Sequence, residues 1–111
     1  MKTSELTGAA LDWAVAKLEG DMVPDGGVMI QTWPFYSSDW SQGGPIIERE
    51  KIDLRWDVTL ENTDGHWIAE WWPDEEDDSR IWGFCSGPTP LIAAMRCYVA
   101  SKLGDEVEVP L

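Results

Sequence analysis

Ile52-Asp53-Leu54-Arg55-Trp56-Asp57-Val58-Thr59-Leu60-Glu61 alternates apolar and polar side chains without a break. Successive side chains of a strand point to opposite faces, so this run predicts a half-buried strand over 52–61 with one dry face and one wet face. The turn residues Asn62-Thr63-Asp64-Gly65 follow, and then His66-Trp67-Ile68-Ala69-Glu70-Trp71-Trp72. Two extended runs joined by a short Asp-Gly turn predict an antiparallel hairpin. Tryptophan falls on both faces of the second strand, so its inward set stays open. Trp56 and Trp82 are assigned to the core.

Working outward, Pro73-Asp74-Glu75-Glu76-Asp77-Asp78 reads as an acidic loop and Arg80 to Cys85 as a third short strand. Gly87-Pro88-Thr89-Pro90 ends the sheet, with Thr89 as an N-cap and Pro90 at the first helical position. A helix is expected from there to about Leu103, with Leu91, Ile92, Met95, Tyr98, Val99 and Leu103 on one side and Gly104 as its stop. Val107 and Val109 alternate with Glu106 and Glu108, which leaves a final edge strand or an irregular tail as alternatives.

Upstream, Thr7 is the expected N-cap of a first helix, Leu6 and Leu11 have the spacing of a hydrophobic staple, and Gly20 closes it. Its apolar stripe is Leu11, Ala14, Val15 and Leu18, with Trp13 near the edge. Between Asp21 and Gly44 the periodicity fails, so a long loop is expected before a short helix from Pro45 to about Glu50. The sum is one α+β domain over 1–111: an antiparallel three- to four-stranded meander with an N-terminal and a C-terminal helix packed on it.

The chain carries 21 acidic and 8 basic side chains, a net charge of −13 on 111 residues, together with 8 tryptophans. Such a charge repels nucleic acid and anionic membranes and favours basic protein surfaces. The segment Met1-Lys2-Thr3-Ser4-Glu5 has no apolar leader character, and no apolar run is long enough to span a membrane. The expected setting is the cytoplasm of the cell. Cys85 and Cys97 read as reduced core residues, since two thiols make neither a disulfide framework nor a four-ligand zinc site.

Several blocks look familiar in combination. These are Glu5-Leu6-Thr7-Gly8-Ala9-Ala10-Leu11-Asp12-Trp13-Ala14-Val15-Ala16, Tyr36-Ser37-Ser38-Asp39-Trp40, Gly43-Gly44-Pro45-Ile46-Ile47-Glu48 and Gly87-Pro88-Thr89-Pro90-Leu91-Ile92-Ala93-Ala94-Met95-Arg96-Cys97-Tyr98. Together they resemble the NinX-like phage proteins, a family classed as a domain of unknown function. The layout is also similar to the wider phage α-β-α sandwich domain, whose last helix likewise opens on a threonine–proline step. The stretch from His66 to Ser79 matches least. The resemblance implies a small accessory protein of tailed phages or prophages, working in the bacterial host. By analogy with other accessory proteins of this size, it implies binding to a host defence or nucleic-acid-handling protein. It implies no catalytic residues.

The candidate partner-binding residues are Asp53, Asp57, Glu61, Glu70, Trp71, Trp72, Asp74, Glu75, Glu76, Asp77 and Asp78. Two readings stand for the acidic loop: an electrostatic footprint for a basic groove, and a solvated loop that keeps the chain soluble. Alternate acids on a strand lie about 6.6–6.8 Å apart, near phosphate spacing, which suggests DNA mimicry. Arg55 interrupts that row. Trp33, Trp40, Trp67, Trp71 and Trp72 suggest an aromatic shelf for a base, a sugar or a partner's side chain.

His66, the lone histidine, reads as a surface residue beside a turn. Neither an EF-hand loop nor a phosphate-binding glycine loop is present, so no metal, no cofactor and no enzyme is expected. The leading expectation is a host protein with a basic surface as partner, with no direct nucleic acid and no membrane. The alternatives are a nucleotide or small-molecule sponge on the tryptophan shelf, and self-association, including a homodimer.

Overall fold

One helix, α3 (Pro90–Leu103), organises the molecule. The computed structural model describes residues 2–21, 31, 33–58, 65–71 and 83–109. Leu91, Ala93, Ala94, Met95, Cys97, Tyr98 and Val99 of α3 are all buried, on more than one side of the helix. A helix that is apolar nearly all round belongs at the centre of a domain. Its start is as the sequence implies: the Thr89 hydroxyl accepts the Ile92 N–H at 3.1 Å, and Pro90 occupies the first turn. At its end Gly104, at φ 86°, donates its N–H to the Ala100 carbonyl at 2.9 Å.

The sheet consists of β1 (Asp53–Asp57), β2 (His66–Trp71) and β3 (Gly83–Gly87), antiparallel and in that order. Trp56 pairs with Trp67 and Trp67 with Gly87; Leu54 pairs with Ala69 and Ala69 with Cys85. That register puts Leu54, Trp56, Trp67, Ala69, Trp71 and Cys85 on the face that meets α3. Asp53, Arg55, Asp57, His66, Ile68, Glu70, Phe84 and Ser86 share the other face. The inward set of β2, left open by its pattern, is therefore Trp67, Ala69 and Trp71.

Several expectations need correction. The first strand ends at Asp57, and Thr59 to Glu61 lie outside the described residues. Trp56 is not core: it is 51% exposed. It pairs with Trp67 at the end of the sheet where β3 stops and the chain turns into α3. There it packs edge-on against Trp67, 5.4 Å between ring centroids, and lies across the backbone of Gly65, which has φ 81°. The third strand is described from Gly83 to Gly87, two residues past the expected end at Cys85, and Arg80, Ile81 and Trp82 lie outside the described residues. Gly87 is its last residue because a Cβ there would sit 2.7 Å from the Ala93 backbone nitrogen, so only glycine allows strand and helix this close. Val107 and Val109 form no fourth strand among the described residues. Glu106 makes a single bridge to Lys2, and the Thr3 N–H donates to the Asp105 carbonyl at 2.8 Å.

The helical layer differs too. Only α3 covers the sheet extensively; α1 (Gly8–Glu19) and α2 (Trp40–Glu50) pack on α3. In α1 the staple pair Leu6 and Leu11 is fully buried, and Gly20 takes the left-handed C-terminal position. Trp13, expected at the edge of the stripe, is buried, and on α3 Leu103 is exposed. The middle helix begins five residues before Pro45. Asp39 caps it, its carboxylate accepting the Ser41 N–H at 2.9 Å and the Ser41 hydroxyl at 2.7 Å. Pro45 sits inside the helix, where it has no N–H to donate to the carbonyl four residues back.

Candidate functional site: the acidic sheet face and the exposed aromatics

The outer sheet face brings together three of the expected partner-binding residues. Asp53 is exposed, Asp57 and Glu70 are half-buried, and Arg55 stands among them. Arg55 Nε donates to Glu70 Oε1 at 2.8 Å and Nη1 to Asp57 Oδ1 at 3.4 Å, while His66 Nε2 lies 3.9 Å from Asp57 Oδ2. Hydrogen bonding to Glu70 is the main cause of a raised Arg55 pKa. The row is thus a cross-strand charge network and not an unbroken line of carboxylates. Trp71 is on the opposite face, half-buried, with its indole across Gly83, its register partner. Glu61, Trp72, Asp74, Glu75, Glu76, Asp77 and Asp78 lie outside the described residues.

Among the described residues the suggested tryptophan shelf is not assembled, and Trp72 lies outside them. Trp33 is buried at 4% exposure, and its indole Nε1 has no hydrogen-bond partner. Trp67 is half-buried beneath Trp56, and Trp40 is 54% exposed at the start of α2. Trp40 and Trp56 are therefore the exposed indoles among the described residues, joined by exposed Phe35 and Phe84, two aromatics the sequence reading did not single out.

Several basic side chains among the described residues bond to the protein's own oxygens. Arg49 forms a two-point pair with Glu19, 2.9 and 2.7 Å, and a 3.1 Å bond to Glu50, which also receives Lys102 at 3.1 Å. The Tyr98 hydroxyl donates to Glu19 at 2.6 Å. This network joins the C-terminal ends of α1 and α2 to the later turns of α3, where cations also oppose the helix dipoles. Arg96 donates to the carbonyls of Leu6 at 2.7 Å and Ser86 at 2.9 Å, tying the N-terminal segment to β3, and burial lowers its pKa. Lys17 Nζ stands 5.1 Å from the centre of the Trp13 ring.

Charge pairing gives this network a pH signature. The Arg49 hydrogen bond, more than it is opposed by burial, holds Glu19 below the ordinary value of 4.5. For Glu50 burial pushes the carboxyl up, but bonds from Arg49 and Lys102 outweigh it and the net shift is downward. A carboxylate with a depressed folded-state pKa contributes stability above its unfolded value and loses it as pH falls. Urea unfolding followed across acid pH should show stability falling below about pH 4.5, with a shallower fall in Glu19→Gln. Equal slopes in the two proteins would mean the pair contributes nothing.

Asp12 is a further buried group that the sequence reading passed over. At 2% exposure it accepts the Ser37 N–H at 2.7 Å and the Gln31 amide at 3.0 Å. Its signal was present: Asp12, Val15, Ala16 and Glu19 form a second helical stripe beside the apolar one. Cys85 and Cys97 are buried free thiols, and burial raises Cys85 to about 11. Among the described residues no group of three or more His, Cys, Asp or Glu could hold a metal ion, and no helix is long and apolar enough to cross a membrane.

A family model described as "Bacteriophage P22, NinX" matches residues 2–102. The chain belongs to the NinX family. The NinX match takes in all three strands and runs to one residue short of the end of α3. It bears out the resemblance carried by the blocks at 5–16, 36–48 and 87–98. No curated protein matches the chain.

Proposed function

We propose that this NinX-family protein is a phage accessory protein that binds a host protein through a basic surface on that partner. The observation that carries the reading is the fate of the cations. Arg49, Arg55, Arg96 and Lys102 bond to the protein's own oxygens, and the chain as a whole keeps a net charge of −13. Internal pairing leaves those groups poorly placed to receive the phosphates of a nucleotide, which counts against the sponge. Arg55 within the acidic row counts against literal mimicry of DNA, so the carboxylates are assigned to steering. Long-range attraction of this kind accelerates encounter and weakens with salt.

The acids Asp74, Glu75, Glu76, Asp77 and Asp78, between Trp71 and Gly83 in the chain, supply the densest charge. The test is capture of partners from host lysate by the tagged protein at low and high salt. Replacing those five acids by their amides should then slow association with whatever is captured by about tenfold or more at low salt. Salt-independent capture, or an unchanged association rate in the amide variant, would overturn the reading.

A further inference from the structure

We propose that the cleft between the N-terminal ends of α2 and α3 is the apolar anchor point for a partner protein's segment, one in which an apolar side chain is flanked by lysine or arginine. The inference rests on the basic-partner reading above and adds a place and a chemistry to it. A groove of about 280 Å³ lies there, lined by Ser37, Ser38, Trp40, Thr89, Pro90, Leu91 and Ile92. Gly44, one turn on, leaves the Trp40 ring uncrowded; a Cβ there would be 3.9 Å from the ring, ordinary contact distance.

The surroundings extend this apolar surface. Phe35, which opens the turn into α2, is exposed. On the sheet side, Ile92 packs over Gly87, Gly87 pairs with Trp67, and Trp67 carries the exposed Trp56, with exposed Val58 two residues along the chain. Among the described residues Phe35, Trp40, Trp56, Val58, Phe84 and Leu103 are the large exposed hydrophobics, and of these Trp40 lines the groove itself. Exposed apolar surface at a groove marks interaction sites, and a tryptophan lining such a groove is a typical energetic anchor.

Charge selects the occupant. The groove's lining contains no lysine or arginine, and the exposed carboxylate of Asp39 stands at its rim. A second copy would bring a further −13 to the same contact, and an anionic ligand would meet the same repulsion. A segment that pairs apolar contact with positive flanks satisfies both features.

The experiment pans a displayed random-peptide library against the whole protein and measures the enriched peptides, made synthetically, by tryptophan fluorescence. Enrichment of an apolar residue flanked by Lys or Arg is expected. Affinity should fall tenfold or more in Trp40→Ala and be unchanged in Leu103→Ala, an exposed position at the far end of α3. Circular dichroism should show Trp40→Ala folded, since more than half of that side chain is already in water. No enrichment, enrichment of acidic peptides, or equal affinity in Trp40→Ala would overturn the proposal. So would a dimer in light scattering that dissociates on the same substitution. If Trp40→Ala still captures a salt-sensitive partner from lysate at full strength, the anchor falls and the electrostatic reading stands. If the peptides bind as expected while lysate yields no salt-sensitive partner, the cleft stands and the host-partner reading falls.

Discussion

Gly43→Ala should lower the thermal midpoint by up to about 10 °C, while Gly44→Ala, one residue on in the same helix, should raise it by a few degrees. Both substitutions replace glycine by the best helix former, a gain of about 1 kcal/mol each. The neighbours decide the sign. A Cβ at Gly43 would sit 2.5 Å from the backbone carbonyl of Tyr36 and 2.7 Å from a Leu91 methyl, so backbone must move where α2 meets α3. Overpacking of this kind costs about 1–3 kcal/mol, enough to reverse the propensity gain. At Gly44 the nearest contact is the Trp40 ring at 3.9 Å, ordinary van der Waals distance, so the gain survives. Thermal unfolding by circular dichroism reads both; a shared sign for the two variants would show that the close approach at Gly43 is not real.

Asp12→Ala should destabilise the protein by about 3 kcal/mol. The carboxylate satisfies the buried Ser37 N–H, and it also holds the Gln31 amide, which itself reaches the Trp33 carbonyl at 3.2 Å. Truncation leaves a donor without an acceptor in a water-poor site and releases the segment that seats Trp33 in the core. Asp12→Asn keeps an oxygen for Ser37, and the Gln31 amide can turn over, so most of the stability should remain. Urea unfolding of the two variants separates these cases, and loss of hydrogen-exchange protection at the Ser37 amide would localise the damage. Equal behaviour of Ala and Asn would remove the hydrogen-bond explanation.

What the sequence made legible was whatever depends on local chemistry. The caps and stops of α1 and α3 follow from Thr89, Pro90, Gly20 and Gly104. The antiparallel pairing of β1 with β2 follows from period-two alternation, while the turn at 62–64 lies outside the described residues. The middle helix was obscured because Gly43, Gly44 and Pro45 read as breakers, although Asp39 with Gln42 three residues later is a start signal. Gly43 is glycine for a tertiary reason, closeness to Tyr36 and Leu91, and that cannot be read from neighbours in sequence.

Trp56 failed for the complementary reason. Alternation identifies the face but not how far along the strand a covering helix reaches. The acids Asp57 and Glu70 were legible as a charged face, yet their engagement by Arg55 depends on a cross-strand register fixed only in three dimensions. The exposed indole at the α2 start could be named from sequence but not told apart from buried Trp33.

Every other helix and strand, and the short turn at Thr3–Glu5, touches α3. A change in that helix is therefore felt by all parts at once, whereas the outer sheet face and the rim around Trp40 can be rewritten one position at a time. Such a division lets a lineage retarget what it grips while its scaffold stays the same.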